Sequence, residues 1–303
     1  MAIITTGSFA KDLWPGVARW YGMKYKEYPV EHLEIFDKLT SDQAFEEDVQ
    51  ATGFGLATIK TEGASISFDE TQQGFIQRYT HVTYGLGFII TREMHDDGVS
   101  MTVALRRATA LAFSMRQTKE TVAANVLNRA FNDSYTFADG LELCSTAHLN
   151  TTGGTWRNEL STAADISEDA LEQCCIDIAD FQTDRGLKIA IRPKKLIVPP
   201  ELEFEAARLL KTPQQPGTAN NDINAIRVTG KFPDGYAVNN YLDDSDAFFI
   251  KTDCPMGLTH YERRADDFDT DNDFDTENAR FKSTFRGSWG CTDPRGVMGS
   301  PGA

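Results

Sequence analysis

Residues 94–131 read MHDDGVSMTVALRRATALAFSMRQTKETVAANVLNRAF, and what this stretch demands of the rest of the chain decides the fold. Val103, Leu105, Ala108, Leu111, Ala112, Met115, Val122, Ala123, Val126, Leu127 and Ala130 recur at near-helical spacing, with no proline between them. Asp96 and Asp97 stand where carboxylates favour the helix dipole, and Arg129 stands at the opposite end. The spacing predicts a helix over about 97–131, roughly 50 Å long at 1.5 Å per residue. Its apolar stripe is narrow and rich in alanine, with Arg106, Arg107, Arg116, Lys119 and Glu120 on other faces. A rod longer than many compact domains are wide must lie along its own domain or along a neighbouring chain. A long core helix of an ordinary enzyme stays open at this point.

On the N-terminal side, residues 1–45 read as an arm. Phe9, Leu13, Trp14, Val17, Trp20, Tyr21, Tyr25 and Tyr28 are separated by Pro15, Gly16, Gly22 and Pro29, with too little between them to build a core. From 46 to 83 short alternating runs suggest a strand, a turn and a returning strand. Phe54, Leu56 and Ile59 lie on one limb, Ile66 and Phe68 on the other, with glycines at 53, 55, 63 and 74. So thin a hairpin is marginal alone in water and needs a surface to lean on. Leu86 to Ile90 is a β-prone run feeding the long helix.

On the C-terminal side a Gly/Thr-rich loop precedes a second amphipathic helix. Ser167 is its N-cap, Leu171, Cys174, Cys175, Ile178 and Phe181 its buried stripe, and Gly186 its stop. A strand follows over Lys195–Val198, then a helix opened by Pro200 and ended before Pro213. Strands are expected in INAIRVTGK, YAVNNYL and AFFIKTD, so that 165–255 forms an α/β unit with its own core. An acidic run and a strand-like segment carrying Phe281, Phe285 and Trp289 close the chain.

The 303 residues carry 45 acidic and 30 basic side chains, a formal net charge of −15, without a basic run. Such a surface does not hold nucleic acid by a broad electrostatic footprint. Five cysteines without a CxxC give neither a disulfide framework nor zinc spacing, and reduced thiols in cytoplasm are expected. No signal peptide and no run of eighteen apolar residues is present, so no membrane partner is expected.

Two clusters invite chemistry. Asp266 to Glu277 (DDFDTDNDFDTE) aligns with a calcium loop from Asp267 through Asp269, Asp271 and Asp273. However, Asn272 replaces the required glycine and Asn278 the bidentate glutamate, so a solvated loop is expected. Cys144, Ser145 and His148 share one loop, yet no orienting acid or oxyanion pattern is identifiable beside them. The histidines at 32, 81, 95, 148 and 260 show no metal spacing. Cys174 and Cys175 read as small core residues. No catalytic residue, cofactor or metal ligand is assigned. A calcium- or thiol-dependent hydrolase is the rival from another class.

The order of arm, polar hairpin, long helix, glycine-rich loop, α/β unit and final strand resembles the major capsid protein of tailed bacteriophages. That family has the Hong Kong 97-type shell fold, shared with encapsulins. TEGASISFDETQQGF (61–75), GFIITREMHDDG (87–98), ALEQCCIDIADFQTDRGLKI (170–189), RPKKLIVPPELEFEAARLL (192–210) and GSWGCTDPRGVMGS (287–300) carry the likeness across most of the chain. The resemblance implies an α+β fold with an N-terminal arm (1–45) and an extended β-hairpin loop (46–83). It further implies a peripheral domain (84–164 and 256–303) containing the long spine helix, and an axial α/β domain (165–255). Function would then be self-association into hexamers and pentamers of an icosahedral virion shell, without chemistry, assembled in the host bacterial cytoplasm and enclosing packaged double-stranded DNA that it does not bind tightly. An encapsulin-like compartment is the alternative within the same fold. Inter-subunit contacts are expected at Phe9, Trp14, Trp20, Tyr21, Phe54, Lys60, Glu62 and Phe68. A separate scaffolding protein is expected, because no helical, charge-rich leader precedes the arm; the resemblance also implies a portal protein and leaves a decoration protein open. Some members seal themselves with a lysine–asparagine isopeptide bond. Lys60 lies in the corresponding hairpin, but no acceptor asparagine is matched.

Overall fold

The computed structural model describes residues 7–50, 52–96, 100–214, 223–273 and 276–303, with the side chains of 7–15, 95, 96 and 100 outside the described set. In chain order the elements are α1 (Gly7–Glu27), α2 (His32–Ile35), β1 (Asp37–Thr40), β2 (Phe45–Val49), β3 (Ile76–Thr80), β4 (Val82–Ile90), α3 (Arg92–Asp96) and α4 (Ser100–Asn128). Next come β5 (His148–Leu149), β6 (Thr155–Trp156), α5 (Glu168–Ala179), β7 (Pro193–Val198), a 3₁₀ turn (Pro200–Leu202), α6 (Glu203–Lys211) and α7 (Ala225–Thr229). The chain closes with β8 (Tyr236–Val238), β9 (Phe248–Thr252), β10 (Leu258–Asn272), β11 (Ala279–Cys291), a 3₁₀ turn (Pro294–Gly296) and β12 (Val297–Ser300). Two four-stranded sheets, ordered β1-β10-β11-β4 and β12-β9-β7-β8, organise them.

The expected long helix is α4, 29 residues or about 44 Å long. Residues 97–99, where its start was placed, lie outside the described residues. Ala104, Ala108, Leu111, Ala112 and Met115 on its front half are buried with Val17 and Tyr21 of α1 and Phe281 and Phe285 of β11. Ala123 and Leu127 on its rear half belong to a different core, with Ile35, Phe36, Leu143, Ile197, Phe249 and Val297.

The second sheet divides that rear core from a third. Side chains alternate along a strand, so Leu196 and Val198 of β7 and Phe248 and Ile250 of β9 face one way, while Ile197 and Phe249 face the other. The first set packs against α5 and α6 through Leu171, Cys174, Ile178, Ala206 and Leu209. Burial on both faces explains why LIV and FFI are unbroken apolar runs. Strand β12 completes this sheet from the far end of the chain, pairing antiparallel with β9. Where the closing segment passes the start of β10, Gly257 and Gly296 touch: a Cβ on Gly296 would lie 2.4 Å from the Gly257 Cα.

Several expectations are corrected. Within the segment read as an arm, where no helix was expected, residues 7–27 form α1, packed along α4. Val17, Tyr21 and Tyr25 follow helical spacing, which the neighbouring Pro15, Gly16 and Gly22 obscured. The α5 helix begins at the Ser167 cap, whose hydroxyl accepts from the Ala170 amide at 3.2 Å, but it ends at Ala179. Gly186 instead turns the chain, at φ +76°, between Thr183 and Leu187. INAIRV is not a strand: Asn224 caps α7, and its side chain accepts from the Arg227 amide. The acidic run is not a loop up to Asn272 but the outer half of β10. Lys119 and Glu120, placed by the sequence on faces other than the apolar stripe, are buried, because Lys119 falls in phase with Met115 and Ala123 and Glu120 with Ala112 and Ala124.

Those two residues anchor a polar junction. Glu120 accepts from the Glu31 and His32 amides at 3.2 and 2.8 Å and meets His32 Nδ1 at 2.8 Å, so the spine helix caps α2. Lys119 lies 3.8 Å from Glu262 and over the Phe285 ring, and burial pulls its pKa down. His260, 1% exposed, stacks on Trp289 at 4.4 Å with its Nδ1 unpartnered. Burial first, then the nearby charges of His32, Lys119 and Lys38, push its pKa down to about 3. The unfolded chain, with a histidine near 6.5, therefore binds more protons than the folded one between these values. Stability contributed by neutral His260 is complete above about pH 6.5 and is lost as pH falls toward 3, by at most about 1.4 kcal/mol per pH unit. Thermal unfolding of the free subunit from pH 7 to pH 4 is expected to show this slope, and His260→Phe to flatten it. An unchanged slope in the variant would remove His260 as its source.

Candidate assembly surface

Beyond the short ladder of β2 with β3, residues 52–75 run out and back as two extended limbs that contain no strand. The turn at their tip is closed by the Ala64 amide bonding to the Thr61 carbonyl at 3.1 Å, with Gly63 at φ +79°. Thr58 and Ser67 hydroxyls meet across the limbs at 2.8 Å. The sequence reading placed a strand in each limb. Pairing is confined to the base because so few residues here can bury anything within the chain.

Asp69 is the joint of this loop. Its carboxylate accepts from the Gly55 amide of the outgoing limb at 2.7 Å and pairs with Arg185 at 3.2 Å, beside the α/β unit. The Gly55 and Glu70 amides and Arg185 hold the carboxyl below its usual pKa. Arg185 also donates to the Glu70 carbonyl. Beside this anchor Phe54, and beyond it Leu56, Ile59, Ile66 and Phe68, project into solvent, Ile59 and Phe68 each 96% exposed. Apolar side chains so fully exposed and so close together mark a surface that another molecule covers.

The eight candidate contact residues divide accordingly. Phe54, Lys60, Glu62 and Phe68 lie exposed on the loop. Trp20 is half-buried and donates to Thr109 Oγ1 of the spine helix at 3.0 Å. Tyr21 is 3% exposed and occupied inside its own subunit, stacked on Phe268 and hydrogen-bonded to Asp266 at 2.7 Å and Ser283 at 2.8 Å. The side chains of Phe9 and Trp14 lie outside the described residues. Among the described candidates the exposed ones lie on the extended loop, while Trp20 and Tyr21 of α1 pack within the subunit.

The two chemical clusters resolve into structure. Asp139 is the orienting acid the sequence did not reveal: it meets His148 Nδ1 at 2.6 Å. The other ring nitrogen is within 3.0 Å of Asn158 Oδ1, and the ring stacks on Trp156. No hydrogen bond joins His148 to Cys144 or Ser145 among the described residues, and burial drives the Cys144 thiol far above its ordinary pKa. The cavity beside Asp139 and Trp156 measures about 10 Å³, room for one water and no substrate. Asn158, which sequence reasoning missed, is the hub here. Its Nδ2 donates to the Leu143, Pro294 and Val297 carbonyls at 2.7, 3.0 and 3.1 Å, and Oδ1 accepts from the Ser145 amide at 2.8 Å. Of the acidic run, Asp267, Asp269 and Asp271 point to one exposed face of β10, spaced along it by the strand itself, with Lys282 pairing to Asp269 at 3.3 Å. No group of three or more His, Cys, Asp or Glu placed to hold a metal ion occurs among the described residues.

A sequence model of the family described as phage capsid protein matches residues 75–298. No curated protein sequence matches the chain. Among solved structures the chain is similar to the virus-like particle from Pyrococcus furiosus, at 11% identity and a TM-score of 0.50, covering 94% of this chain and 97% of that one. It is also similar to the capsid of an empty GTA particle, at 12% identity, a TM-score of 0.53 and 88% of each chain. Mycobacterium phage Bobi matches at 10% identity and a TM-score of 0.50, over 90% of each.

Because its ring touches nothing in its own subunit's core, Phe68→Ser is expected to leave free-subunit stability within about 0.5 kcal/mol. The same change is expected to reduce or abolish particle formation, read by sedimentation. Normal particle yield from Phe68→Ser would show that the exposed ring is not covered on association.

Proposed function

The chain belongs to the phage capsid protein family, and from that premise we propose that it is the major capsid protein of a tailed phage, working as hexamers and pentamers that close an icosahedral shell. The supporting observation is the extended loop. It carries five exposed apolar side chains on a projection that its own core does not cover. A heterologous contact, in which this loop meets a different patch on the next copy, closes into rings when the rotation closes. Burying a Phe or Ile side chain fully is worth roughly 1.5–3 kcal/mol, so each contact is modest and many together are strong.

The other assignments follow the same reading. The α/β unit around β7 and β9 is the axial domain, extended by β12. The spine helix, α1 and the β1-β10-β11-β4 sheet make up the peripheral domain. Self-association is the work of this chain, and His148, Asp139 and Cys144 are framework rather than catalyst. Scaffolding and portal proteins act as separate partners, and assembly takes place in the host cytoplasm. The net charge of −15 keeps the wall from trapping packaged duplex DNA, a long polyanion.

Overexpressed protein viewed by negative-stain microscopy is expected to show closed shells, and the isolated subunit to bind duplex DNA no more than weakly at about 0.1 M salt. Only monomers or dimers at high concentration would overturn the shell reading. Tight, salt-sensitive DNA binding would overturn the account of the charge.

A further inference from the structure

Every sheet edge is a row of unpaired N–H and C=O groups, and proteins guard such edges with charge, proline or brevity. In the β1-β10-β11-β4 sheet, two of the edges are guarded. Strand β1 is four residues long and carries Asp37 and Lys38, paired to Lys251 at 2.9 Å and to Glu262 at 2.7 Å. Beyond Glu262, where β1 ends, β10 presents Asp266, Asp267, Asp269 and Asp271. Strand β4 is different. Its nine residues, VTYGLGFII, pair with β11 along their whole length, contain no charge and no proline, and leave Val82, Leu86 and Ile89 exposed on the free edge of the sheet. At about 3.4 Å per residue this is roughly 30 Å of open, apolar edge.

The chain also contains a segment suited to it. The returning limb of the extended loop reads ASISF over 64–68, without charge, glycine or proline, and it is extended yet joined in no ladder. Ile66 and Phe68 alternate with Ser65 and Ser67, as a strand docking on a half-apolar edge requires. Within one subunit this limb leaves the β4 edge exposed. We propose that residues 64–68 of one copy add as a strand to the β4 edge of a neighbouring copy. The proposal rests on the shell reading above and names the surface that receives the loop. Main-chain hydrogen bonds hold the loop there, and the uncharged match between limb and edge selects β4 over the charged β1 and outer β10 edges.

The test uses full-length chains with Cys254, the one native cysteine that is not buried, changed to Ser and one cysteine introduced at Ser65, Ile66 or Ser67, each mixed with chains carrying one introduced at Tyr84, Leu86 or Phe88, then assembled and oxidised. Expected are mixed disulfide dimers on a non-reducing gel whose yield alternates along the strand, and none with Leu39→Cys on β1 as the partner. Closed shells that cross-link equally to Leu39, or not at all to β4, overturn the proposal and leave the shell reading standing. Absence of shells from the unmodified protein overturns both. Should the cysteine variants fail to assemble, hydrogen exchange on unmodified shells decides. Amides in both 64–68 and 82–90 are expected to exchange at least ~10-fold more slowly in shells than in free subunits. Unchanged exchange in either segment overturns the pairing.

Discussion

A helix of 29 residues is too long for any one small core to bury, and the rest of the subunit is arranged around that constraint. The front half of α4 is covered by α1 and β11, the rear half by α2, the 143–144 loop and one face of the β7–β9 sheet. Alanine at 104, 108, 112, 123 and 124 makes both coverings possible, because small side chains let a second helix or a sheet lie close. The apolar stripe is continuous in phase, but what lies upon it changes halfway.

The changeover is polar. Lys119 and Glu120 occupy stripe positions where another Leu or Ala would pack more cheaply. Glu120 instead satisfies two amides and the His32 ring at the start of α2, and Lys119 sits between Glu262 and the Phe285 ring. A featureless apolar stripe could slide by a turn against its neighbours. A buried carboxylate with three assigned donors has one register only.

The sequence was legible where a pattern repeats over many residues. The spine helix, the Ser167 cap, the stripe of α5 and the β7 strand all follow from spacing and a named cap. It was less legible where tertiary contacts outweigh local signals. Pro15 and two glycines concealed the helical phase of Val17, Tyr21 and Tyr25, which is stable because α4 lies beneath it. The carboxylates of 266–272 looked like a loop, yet β11 supplies Lys282 and Ser283 opposite them, which holds the strand in place. At the candidate site the exposed loop residues were visible as apolar groups lacking a local core. Asn158 and Asp139 were not, because a single buried polar residue has no period and its partners lie far along the chain or across a loop.

The crossing of Gly257 with Gly296 has a consequence for how such chains diversify. A methyl group on either glycine would strike the main chain of the other rather than a side chain. Shrinking the opposing residue cannot relieve that clash, since it is already the smallest available. Neither position can therefore drift while the other compensates. The two are fixed jointly, and lineages that vary freely elsewhere in the wall should inherit this pair unaltered.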